Sequence, residues 1–154
     1  VYRWALFLHI VGALLFFSGL AVAAVAQLSA RRRRRPSEIA LLLDAARTGV
    51  LLVALGAVLI LAFGLWLSDL TGYGLEGWVL AALVLFLVSV LLGGLGGRTP
   101  KRARRLAERL ALAEDEPSPE LEAFLRSRRS DSLNAAAAVA AVAVLVLMIW
   151  KPGA

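Results

Sequence analysis

The chain has no cysteine, which excludes a disulfide framework, a thiol nucleophile and a thiolate metal site. It has one histidine, His9, and one methionine, Met148. No HExxH pair, Ser/His/Asp set or pair of intramembrane carboxylates can be assembled from what remains. The usual catalytic constellations are therefore missing, and a non-enzymatic role is the leading expectation. There is no internal repeat, and the 154 residues lack the length and interrupted helices of a typical transporter.

Charge is also missing over long stretches. Only 18% of residues are charged and they fall in blocks, whereas 60% are hydrophobic and mean hydropathy is +0.80. A bilayer demands that separation, since a charge at its centre costs about 2.5–3.5 kcal/mol on insertion scales. The net charge of +6 and pI of 11.0 point to no nucleic-acid partner, because the basic residues flank apolar spans and act as topology signals. The N-terminus differs from a cleaved signal peptide: only Arg3 precedes the first apolar stretch, and the strong cationic cluster follows it.

Four apolar stretches remain, covering 4–29, 46–68, 77–97 and 133–150. At 1.5 Å per residue, helices of these lengths cross a hydrocarbon core of roughly 30 Å. The expected fold is an all-α polytopic four-helix bundle. Span two is cleanly apolar from Gly49 to Leu67, and its helix is expected to begin near Ser37, because Glu38, Asp44 and Arg47 are spaced as a polar edge.

The positive-inside rule orients the bundle. Arg31, Arg32, Arg33, Arg34 and Arg35 follow span one, and nine further cations lie between spans three and four. The turn between spans two and three holds Asp69 and Glu76 and no cation. Both termini are therefore expected outside, with the arginine loops in the cytoplasm. Trp4, Trp66, Trp78 and Trp150, with Tyr2 and Tyr73, then share the outer interface, where amphipathic rings favour the headgroup zone.

The cytoplasmic loop 98–132 reads as a short helical hairpin. Thr99-Pro100 is expected to start its first helix, Glu114-Asp115-Glu116-Pro117 to end it, and Ser118-Pro119 to start the second.

Within the spans, His9 shares a helical face with Gly12, Phe16, Gly19 and Ala23, so it should face the bundle. An intramembrane ionisable group is a functional candidate, either as a ligand to haem or metal or as a packed, hydrogen-bonded residue. Met148 lies at similar depth and shares a face with Asn134, Ala137 and Ala141, which makes it either a second haem ligand beside His9 or packing filler. Asp44 and Arg47, three residues apart, are expected to pair at the interface, the alternative being a role in ion or substrate passage through a small oligomeric channel or transporter subunit. The five-arginine run, Arg102 and Arg105 are expected to meet anionic lipid head groups. Gly49, Gly56, Gly64 and the Gly93–Gly97 cluster predict close helix contacts, within the chain or with a second copy or membrane partner.

The run Leu8-His9-Ile10-Val11-Gly12-Ala13-Leu14-Leu15-Phe16-Phe17-Ser18-Gly19 resembles the LHxxGxxxxxxG first span of a bacterial family of small predicted integral membrane proteins of unknown function. Gly64-Leu65-Trp66-Leu67 and the stretch from Trp78 to Gly97 resemble the same family. More distantly, the first-span histidine and four-helix core are similar to the copper-resistance CopD membrane domain and HemJ-type protoporphyrinogen oxidases. That resemblance implies haem at His9, although spans two to four hold no second histidine or lysine. The localisation expected from it is the bacterial inner membrane.

The cysteine-free chain makes the topology directly testable. A membrane-impermeant maleimide should label Thr71→Cys in intact cells and reach Glu114→Cys only after lysis; the opposite pattern would reverse the orientation.

Overall fold

The computed structural model describes residues 1–151 and consists of six helices with no strand among them. These are α1 (Tyr2–Ala30), α2 (Pro36–Leu70), α3 (Gly77–Gly96), α4 (Arg98–Leu112), α5 (Pro119–Leu125) and α6 (Arg128–Trp150). α1, α2, α3 and α6 form a four-helix bundle, and α3 and α4 run together as one long helical segment. Between 17% and 22% of the residues in each apolar window are buried, so most of each helix surface is apolar and faces outward. A helix that is apolar all round fits a lipid surround.

The bundle is built from two intimate antiparallel pairs, α1 with α2 and α3 with α6. In the first pair glycines let backbone meet backbone. A Cβ on Gly56 would lie 2.5 Å from the Phe16 nitrogen and 2.6 Å from the Gly12 carbonyl oxygen. One on Gly19 would lie 2.6 Å from the Gly49 carbonyl oxygen, and one on Gly49 would lie 2.7 Å from that of Gly19. Gly12 and Gly19 on α1, and Gly49 and Gly56 on α2, are each seven residues apart, so one seam carries both contacts.

The second pair uses small residues and hydroxyls. Ser89 Oγ donates to the Ala137 carbonyl at 2.8 Å, and Ser130 Oγ donates to the Gly96 carbonyl at 2.7 Å. A new helix begins at Arg98, within a residue of the start expected at Thr99-Pro100. Residues 98–100 are already helical, and the backbone passes through Gly97 with αR angles (φ −71°, ψ −11°). Pro100 has no N–H to offer the Gly96 carbonyl four residues back. The Ser130 hydroxyl supplies the Gly96 carbonyl with the donor that Pro100 lacks.

Between the pairs the contacts are bulkier. Phe16 and Phe86 meet with ring centroids 5.4 Å apart, packed with Ala57, Ile60, Ala82, Ala141 and Val144. A second apolar cluster lies at the arginine end, where Ala103 and Ala107 of α4 and Leu121 and Leu125 of α5 cover Ala30, Ile39 and Leu43. α4 is amphipathic, and its small face lies on α2.

Three polar links close this end. Arg31, just past the C-terminus of α1, binds Asp131 in the first turn of α6 with both guanidinium Nη atoms. Each charge has the sign its helix end favours. Ser37 donates its backbone N–H and its hydroxyl to the two Asp115 carboxylate oxygens, each at 2.8 Å. Arg35, the N-cap residue of α2, gives no side-chain cap, so Asp115 from the α4–α5 connection caps α2 from a distance. The third link joins Arg104 on α4 to Asp44 on α2 at 3.3 Å.

The seam and the distant cap each have a measurable consequence. Gly56→Ala should destabilise the chain by about 1–3 kcal/mol, the usual cost of overpacking, read as a lowered unfolding midpoint in mixed micelles. Gly94→Ala, at a position with no neighbour within 4 Å, should leave the midpoint unchanged. Hydrogen bonds from Ser37 hold the Asp115 carboxyl below the ordinary aspartate range. Its contribution is therefore complete above the unfolded-state pKa and lost as pH falls through the lower folded-state pKa. Rate-corrected amide exchange should show protection at the start of α2 falling in that acidic window, and the step should vanish in Asp115→Asn.

Candidate functional site

All four tryptophans end up at the same end of the bundle, because each helix pair is antiparallel and a six-residue turn joins α2 to α3. Gly72 and Gly74 take positive φ (+78° and +55°) in that turn, a backbone state that favours glycine. Ser68 Oγ donates to the Gly74 carbonyl, and Thr71 Oγ1 donates to the Leu67 carbonyl at 2.7 Å. The turn is thus held by hydroxyls whose protons go to backbone.

Below it a cavity of about 350 Å³ lies between the two helix pairs. α1, α2, α3 and α6 all contribute to its wall. Ile60, Phe86 and Val144 line it near the bundle core, and Tyr2, Tyr73, Trp78 and Lys151 line it towards the helix ends. Tyr73 and Trp78 meet edge to face at 5.3 Å, and the Lys151 ammonium lies 5.0 Å from the Tyr73 ring centroid and 5.8 Å from that of Trp78. Cation–π attraction holds a positive charge there. Volumes in this range are ordinary for small-molecule sites.

His9 is the one titratable group in the wall at bundle depth. Its Nδ1 lies 3.2 Å from the Ile60 carbonyl oxygen. A carbonyl only accepts, so Nδ1 is the donor in that bond. Gly64 makes the approach feasible: a Cβ there would stand 3.0 Å from His9 Cε1 and 3.1 Å from Nδ1. The third glycine of the α2 file thus receives a ring where the first two receive backbone. Met148 lines the same cavity, as well as a small void of about 20 Å³ beside it that His9, Phe16 and Phe17 share.

The structure therefore brings His9 and Met148 to one cavity. Asp44 takes Arg104 as its partner instead of Arg47, which makes no ion pair among the described residues. Arg104 reaches Asp44 from α4, a packing partner not evident from spacing within α2. Among the arginines expected at lipid, Arg31 is committed to Asp131, and Arg33 lies 3.8 Å from Glu38. Arg32, Arg34, Arg35, Arg102 and Arg105 are exposed. Sequence reasoning missed Gly64 as the residue that makes room for His9, and it missed the Lys151, Tyr73 and Trp78 group. Their common position near one interface was the only signal for that group. No cluster of three or more His, Cys, Asp or Glu side chains suited to a metal ion occurs among the described residues.

Four helices long and apolar enough to cross a membrane define a small polytopic integral membrane protein. The chain belongs to the family described as Predicted integral membrane protein (DUF2269), which matches residues 4–152. No curated protein and no solved structure matches it.

Proposed function

We propose that the protein binds a membrane-soluble small molecule in the cavity at the tryptophan end, with His9 as its deep polar contact. The observation that carries this reading is the pairing of His9 with Gly64. An ionisable side chain within a span is costly, and here a glycine clears space to hold its ring against α2 while the ring still lines a cavity. A packed structural histidine needs the Ile60 bond but no cavity beside it.

Haem is one candidate occupant. The donor types fit: His9 Nε2 and the Met148 thioether would hold the iron, and the group would supply one-electron chemistry. Assembly through glycine faces has less support than the sequence implied, because Gly12, Gly19, Gly49 and Gly56 are filled within the chain. A passage lined by Asp44 and Arg47 has less support too, since both are exposed on α2. We read the arginine end as cytoplasmic and its exposed arginines as contacts for anionic head groups, each contributing about 1 kcal/mol near the surface.

The test is to isolate the full chain in native membrane discs and take its visible spectrum, metal content and organic extract. A molecule stoichiometric with the chain, retained by Gly94→Leu and lost from Gly64→Leu, is the expected result. A colourless, metal-free preparation whose extract matches the bulk membrane would overturn the reading, and a Soret band lost in His9→Ala would identify the occupant as haem.

A further inference from the structure

The bonding of His9 limits what the ligand can offer it, on the reading that the cavity is a binding site. The Nδ1–Cε1 edge of the ring faces α2, with Nδ1 bonded to the Ile60 carbonyl and Cε1 against Gly64. Nδ1 therefore carries the proton. A neutral imidazole protonated there has its lone pair on Nε2, and the neutral form is the one a membrane interior favours. Nε2 has no hydrogen-bond partner among the described residues, yet no described side-chain nitrogen or oxygen is both sealed from solvent and unpaired. Nε2 is consequently open, on a ring that lines the cavity, and it can only accept.

The other polar side chains around the cavity do not answer it. Ser68 and Thr71 have committed their hydroxyl protons to backbone carbonyls in the turn. Tyr2, Tyr73 and Lys151 stand towards the helix ends, with the ammonium over the rings of Tyr73 and Trp78. A purely apolar occupant would leave Nε2 desolvated and unpaired, which disfavours it. A ligand with only carbonyl or ether oxygens has no proton to give. The walls nearby are aromatic at both levels, Phe86 at depth and the Tyr73–Trp78 pair above, so they suit a flat ring.

We propose that the ligand's polar end is a hydroxyl that donates to His9 Nε2, and that the ligand is a lipid-soluble phenol. The hydroxyl sits at depth, its ring lies among the aromatic side chains, and any alkyl substituent leaves between the helix pairs.

Two probes that differ only in the donor provide the test. The full chain in phosphatidylcholine nanodiscs is titrated with a decyl-substituted hydroquinone and with its dimethyl ether, with binding corrected for partition into lipid. The hydroquinone should bind about tenfold more tightly, the effect of one net hydrogen bond. His9→Phe, which keeps a ring and removes the acceptor, should abolish the difference, and Gly64→Leu should weaken both probes. The comparison on the unmodified chain stands even where a variant fails to fold. Equal affinities for the two probes, both weakened by Gly64→Leu, would overturn the hydroxyl inference and leave the cavity as a binding site. Binding of neither would overturn both. Decanol and its methyl ether form a second pair. A tenfold preference there as well would overturn the restriction to phenols and assign lipid alcohols too, whereas a preference confined to the hydroquinone supports the phenol.

Discussion

The rest of the structure depends on the backbone contact between α1 and α2. At Gly12 against Gly56 and Gly19 against Gly49 there is no room for even one methyl group on either helix. Lipid tails are as apolar as the helices, so burial from water gives no drive for this association, and close van der Waals packing must supply it. Once these two helices are locked together, their large side chains must point elsewhere. Phe16 and Ile60 turn towards α3 and α6, and it is there that the two pairs meet.

The two ends of the bundle are secured differently. At the arginine end, Arg31–Asp131, Ser37–Asp115, Asp44–Arg104 and Ser130–Gly96 tie helices across the molecule over a covered apolar cluster. At the tryptophan end the α2–α3 turn is held mainly by its own hydroxyls, and no salt bridge among the described residues joins the helices. Cross-helix polar links thus concentrate at the arginine end. The cavity lies at the other end. At bundle depth its wall is apolar apart from the His9 imidazole, and the Lys151 charge lies towards the helix ends.

Much of the architecture was legible in the residues. Four apolar stretches separated by charged blocks encode four membrane helices directly, because the bilayer penalises every charge within a span. The inward face of His9 was also legible, since it shares a helical stripe with Gly12, Phe16, Gly19 and Ala23. The helix starts expected at Thr99-Pro100 and Ser118-Pro119 both have a counterpart, with α4 beginning at Arg98 and α5 at Pro119. A proline marks a helix start because it lacks a donor, and the Gly96 carbonyl it leaves unpaired takes its bond from a serine distant in the chain, Ser130. Nothing local to Pro100 announces it.

The sequence by itself determined how many helices are apolar enough to cross a membrane and which stripe of α1 faces inward. Those properties follow from local periodicity and from the cost of placing charge in lipid. Only the tertiary structure decided which glycine meets which helix, that Asp44 binds Arg104 and Asp115 caps α2, and that Gly64 opposite His9 leaves a cavity at the tryptophan end. Each of these depends on the relative height and rotation of helices distant in the chain. That geometry is set by the sum of many shallow van der Waals contacts, and no short stretch of residues records it.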